Sequence, residues 1–247
     1  MVWSCLVSIL PGMAQTEKLT DYVNPFVGTD GYGNVYPGAQ IPFGGIQISP
    51  DTDSRFYDAA SGYKYNHLTL MGFSLTHLSG TGIPDLGDFL FIPGTGEMKL
   101  EPGTHEDPDQ GYRSRYSHDK EWASPNYYAV ELADYGVKAE MTSGVRSGMF
   151  RFTYPESDNA FIMIDMNHTL WQSCEWSNLR MINDSTITGY KLVKGWGPER
   201  HVYFTATFSK KLTGLRFVQD KKPVIYNTYR FTSSYEAWGK NLMACIY

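Results

Sequence analysis

Cysteine is scarce in this sequence. Cys5, Cys174 and Cys245 are an odd set that cannot build a disulfide framework. No CxxC or HExxH spacing occurs, which removes the common zinc arrangements. No Lys/Arg run exceeds two residues, and 21 basic against 26 acidic side chains leave a net charge of −5. Such a chain has no phosphate-tracking surface, so nucleic acid is excluded as a partner. No apolar run approaches the roughly 20 residues of a spanning helix, so no membrane span is expected. Helical periodicity is also sparse. Aromatic residues are abundant instead: 6 Trp, 18 Tyr and 13 Phe, far more than a disordered chain carries. At 247 residues, one large all-β domain can bury a core without covalent staples.

The two ends differ from the middle. Residues 1–14 form a short apolar run, with Gly12 and Ala14 placed as the −3 and −1 positions of signal cleavage. A positive n-region is missing, so the run reads as a clipped signal peptide, and a secreted or periplasmic protein is expected. A first β-strand is the alternative, cut short by Pro11 and Gly12. Residues 236–247 show no alternation. They read as a short helix or the ragged edge of a longer protein, outside a sandwich spanning 18–235.

Between the ends, period-two alternation and turn residues predict strands at 126–132, 137–142, 147–154, 160–166, 186–193, 201–209 and 224–232. Strands at this spacing without helical periods predict an all-β fold, an antiparallel β-sandwich with little helix. Residues 20–100 are rich in Gly, Pro, Asn and Asp, and loops of that length are usually functional or strongly tied down.

Three blocks there carry candidate chemistry. VNPFVGT (23–29) and GNVYPGA (33–39) supply glycines but lack the strand–GxGxxG–helix context of a nucleotide site. The second block runs from Asp51 through Tyr57 and Asp58 to SGYKY (61–65), mixing aromatics and carboxylates as sugar sites do. Aromatic core packing is the competing explanation. The third, GFSLTHLSGTG (72–82), is followed by Asp85 and Asp88. It holds His77 with nearby hydroxyls and acids, yet has no G-x-S-x-G elbow for a nucleophile and no calcium-loop pattern. A hydrogen-bonded loop lining a cleft is the expectation. Carboxylate pairs for glycoside hydrolysis cannot be assigned from spacing among 26 acids.

In this order, VNPFVGT, GNVYPGAQIPFG, QISPDT, SGYKY, GFSLTHLSGTG and DLGDF resemble the amino-terminal region of glycoside hydrolase family 92, the calcium-dependent α-mannosidases. The likeness continues through 124–155 and 195–210. The resemblance implies an inverting exo-mannosidase, often α-1,2-specific, in which such a sandwich packs on an (α/α)6 barrel. That barrel supplies a Glu acid, an Asp base and most calcium-site groups. No catalytic residue is therefore carried over to this chain, its metal residues are unknown, and calcium is not expected to bind it alone. By the same resemblance, Tyr57 and Asp58 stand where the family has a sugar-facing Trp-Asp. Together with Tyr63, His77, Asp85 and Asp88 they form the expected substrate-binding set. The expected partners are a mannose-containing glycan and the missing catalytic barrel. A free-standing carbohydrate-binding module using Tyr57 and Tyr63 is the second possibility, and a purely structural sandwich the third.

Overall fold

The computed structural model describes residues 17–54, 59–224 and 235–247. It is 42% strand and 5% helix, and the helices are single 3-10 turns such as Leu19–Tyr22. Among the described residues every strand pairing is antiparallel, as the alternation predicted.

The predicted hairpin forms between Tyr127–Leu132 and Val137–Ser143, with Leu132 opposite Val137 and Gly136 at φ +64 in the turn. Glu121–Ser124 and Gly148–Thr153 flank it in a four-stranded sheet. Its inward residues Tyr128, Val130, Val137, Ala139 and Met141 enclose a core with Ile48, Leu70 and Phe73. A second four-stranded sheet runs Arg200–Thr207, Thr186–Lys194, Ser173–Asn183 and Glu236–Gly239.

The largest sheet has seven strands, ordered Ser49–Asp51, Gly72–Ser74, Leu90–Thr95, Ala160–Asp165, Leu242–Ile246, Leu215–Gln219 and Lys222–Pro223. One face packs on the second sheet through Phe91, Ile164, Ala244 and Ile246 against Leu179, Ile187 and Ala237. The other face packs Ile92, Met163, Met243 and Cys245 against Tyr112, with Met98 and Leu100 alongside. Strands covered on both faces need apolar residues at every position, which erases alternation.

That burial corrects the reading of residues 236–247. They form two strands and no helix. Glu236–Gly239 edges the second sheet, and Leu242–Ile246 lies inside the central one, buried throughout. The sandwich thus runs through Ile246, beyond the expected limit of 235. Ser173–Asn183 is an eleven-residue strand that alternation did not predict, because register shifts at Cys174/Trp176 and Met181/Asn183 break its period. Residues 1–14 and most of the strand predicted at 224–232 lie outside the described residues.

Candidate functional site

Short strands and pinned loops gather the motif residues at one end of the central sheet. Asp51 closes the edge strand Ser49–Asp51 and is fully buried. His77 Nε2 lies 2.8 Å from its Oδ1, and His168 Nε2 lies 2.7 Å from its Oδ2. Burial alone would raise this carboxyl, but the charge and hydrogen bonds of His77 and His168 outweigh it and hold it well below the usual range. His77 Nδ1 is 2.7 Å from the Gln47 carbonyl oxygen. Both ring nitrogens of His77 thus face acceptor oxygens, a carbonyl and a carboxylate, which fixes the plane of the ring. Gly62, inside the SGYKY motif, comes close behind. Its φ is +87, and a Cβ there would stand 2.1 Å from Asp51 Oδ1, so only glycine fits.

Asp88 is a second buried hub. Its Oδ1 lies 3.2 Å from Lys191 Nζ, and its Oδ2 accepts from Thr76 Oγ1 at 2.7 Å and from Arg200 Nη1. Burial raises the Asp88 carboxyl, while the Lys191 and Arg200 charges pull it below its ordinary value and prevail. Lys191 also donates to the His168 carbonyl at 2.6 Å, which joins the two hubs. Asp85 accepts from the backbone of Leu86 at 2.6 Å and of Trp196 at 3.0 Å. Leu170 donates its N–H to the Leu86 carbonyl at 2.9 Å. The loops around 85, 170 and 196 are therefore tied to one another.

The expected substrate-binding residues thus separate. Tyr57 and Asp58 lie outside the described residues. His77, Asp85 and Asp88 come together, but at 3%, 5% and 0% exposure they face inward and hold loops. Tyr63 stands apart from them, 1% exposed, donating at 2.9 Å to Glu121, a carboxylate it shares with Tyr128 and His118. The ring that turns outward from the same motif is Tyr65, stacked on His118 at 3.9 Å. Tyr63 and Tyr65 sit two apart in identical chemistry, and what separates them is distant in sequence: Tyr63 packs among Leu70, Phe73 and Tyr128 and bonds Glu121. His168, Lys191 and Arg200 were missed, since no local motif marks residues that reach the site from other strands.

Several aromatic and apolar side chains are exposed around this buried network. Tyr32, Tyr65, Ile83, Trp171 and Trp196 are exposed on the tied loops. Tyr65 N–H donates to Thr29 and Gly80 N–H to Asn34, so the 24–36 loop joins the same face. A cavity of about 660 Å³ lies elsewhere, lined by Arg115, Lys120, Glu131 and Lys138 among others.

The chemistry open to the network is limited. Ser74 Oγ is 3.1 Å from His77 Nε2, but Asp51 contacts that same nitrogen rather than Nδ1, and Ser74 is fully buried. That geometry cannot relay a proton as a Ser-His-Asp triad does. Calcium wants six to eight oxygen ligands. Asp51 and Asp88 spend theirs on cationic or hydrogen-bonding side chains, and among the described residues no acid cluster forms a cage.

The family model described as the glycosyl hydrolase family 92 N-terminal domain matches residues 22–246. An uncharacterized secreted glycosidase of Arthroderma benhamiae is 30% identical over 139 residues, which is 56% of this chain and 17% of that protein. The family GH92 α-mannosidase BT3965 from Bacteroides thetaiotaomicron superposes at TM-score 0.91 and 99% identity. The match covers 95% of this chain and 32% of that one. The same relative has been solved in complex with mannoimidazole. The GH92 glycosyl hydrolase ccman5 gives TM-score 0.74 at 25% identity, over 92% of this chain and 30% of that one. The chain therefore spans about a third of these solved relatives. With the match running from 22 to 246, the chain belongs to glycosyl hydrolase family 92, as its N-terminal domain.

Proposed function

We propose that this chain is the non-catalytic β-sandwich part of an exo-acting, inverting α-mannosidase, lining one wall of a mannose pocket and docking the barrel that holds the catalytic groups. The observation that carries this reading is the direction of its side chains. The acids of the loop network point inward onto His77, His168, Lys191 and Arg200, while the rings point outward. An inverting glycosidase needs one protonated carboxyl and one carboxylate across the scissile bond, separated by roughly 6.5–9.5 Å. Carboxylates locked in buried ion pairs serve neither role. The mannose class comes from the relatives, one an α-mannosidase solved with mannoimidazole. Calcium, by the same reading, is held by the remainder of the enzyme.

Within this reading, Tyr57 and Asp58 meet the sugar, and His77, Asp85 and Asp88 brace the loops that gather at this end of the sheet. Export is proposed from the signal-like residues 1–14 and the secreted relative. Titration of the chain with mannose by calorimetry tests the wall-only role. The expected dissociation constant is about millimolar or weaker, near −4 kcal/mol. A micromolar value would favour the free-standing binding module instead.

A further inference from the structure

The outer face of the second sheet carries an arrangement that the loop face does not explain. Its inward residues Leu179, Ile187 and Ala237 fill the core, so the alternate positions face away from it. Across the four strands, Trp238 stands opposite Asn178, Asn178 opposite Tyr190, and Tyr190 opposite Tyr203. Trp238 is 52% exposed and Tyr203 70%. The rings of Tyr190 and Tyr203 are 4.9 Å apart. With strands about 4.8 Å apart, Trp238 and Tyr190 are separated by roughly 10 Å along this row.

Polar groups are interleaved and held in place. Asn178 Nδ2 donates to Glu236 Oε1 at 2.9 Å, and the Tyr190 hydroxyl bonds His201 Nδ1 at 2.9 Å. One row over, Glu236 faces Arg180 and Arg180 faces Thr188.

We infer that this face is a second carbohydrate-binding surface, a platform for a neutral glycan chain that lies across the strands. Three observations choose that occupant. A row of rings offers the C–H faces of successive sugars a stacking partner, and the fixed amide, carboxylate and hydroxyl groups beside it suit their hydroxyls. The neighbouring charges are of both signs, Glu236 against Arg180, so neither a polyanion nor a polycation is complementary to the face. The centre of a protein interface is depleted of charged residues, whereas here they stand beside the rings. The platform rests on this geometry alone, and only the choice of mannan as its chain rests on the mannoside reading.

The test is affinity electrophoresis of the whole chain through gels containing soluble α-mannan, β-glucan or xylan. Wild type should be retarded by mannan, and Trp238→Ala should weaken retardation about fivefold or more. Tyr203→Ala, at an edge-strand position that scarcely affects folding, should weaken it as well. Trp122→Ala, on another sheet, should leave it unchanged. Retardation by glucan or xylan alone, lost with Trp238 and Tyr203, upholds the platform and removes the mannan assignment. Retardation by none of the three, or retardation indifferent to both substitutions, overturns the proposal. So does concentration-dependent self-association that Trp238→Ala abolishes without any glycan response, because the face would then be a protein interface.

Discussion

A chain stopped at Lys240 is expected to show no cooperative unfolding transition. The five residues Leu242–Ile246 hydrogen-bond to Ala160–Asp165 on one side and Leu215–Gln219 on the other, and all five are buried. Leu242 and Ile246 fill the core shared with the second sheet, and Met243 fills the core on the opposite face. Burying each of these three contributes roughly 1.5–3 kcal/mol. Each backbone hydrogen bond lost from an interior strand adds about 1 kcal/mol. Together these rival the roughly 5–15 kcal/mol that stabilises a whole domain. Removal would also expose the inner edges of both neighbouring strands, inviting aggregation. Urea unfolding followed by tryptophan fluorescence checks this. A sigmoidal transition near that of the intact chain would contradict the central placement of the strand.

The same strand shows how much of the fold the sequence carries. A strand with one face turned outward, such as Thr186–Lys194, announces itself by alternation. Leu242–Ile246 has core on both faces, and five apolar positions in a row are equally compatible with a buried helix turn. Ser173–Asn183 fails for another reason: its bulge changes which residues point inward partway along.

Lys191→Ala is expected to cost about 3–5 kcal/mol, the usual loss when one member of a buried ion pair is removed. Lys191 is fully buried with its Nζ 3.2 Å from Asp88 and 2.6 Å from the His168 carbonyl, and it lies over the Phe89 ring. Without it, Asp88 keeps Arg200 and Thr76 but loses its one fully buried cation, and the His168 carbonyl loses this donor. For a domain of this size the melting temperature should drop on the order of 10 °C. Lys191→Met restores the apolar stem but not the charge, so it should recover only part of the loss. A shift under about 1 kcal/mol for Lys191→Ala would show that Asp88 is compensated elsewhere.

The candidate site was legible in its position but not in its roles. The 72–88 block and SGYKY mark where the loops converge, since Gly62 is required by the approach of Asp51 and His77 by its contact with that same carboxylate. What local sequence cannot carry is the direction a side chain takes. His168, Lys191 and Arg200 arrive from segments 80 to 150 positions away and turn the acids inward. With those partners in place, His77, Asp85 and Asp88 are buried and tie the loops together.

The central claim, that hydrolysis is not performed by the sandwich itself, is tested most directly by incubating the purified chain with α-1,2-mannobiose and calcium and following free mannose over a day. Positioning and charge stabilisation both need a closed, two-sided site, and one wall provides neither. The account predicts no mannose above the no-protein control, with or without calcium. Mannose release that Asp58→Ala or His77→Ala abolishes, in variants that remain folded, would contradict it and place catalysis within the sandwich.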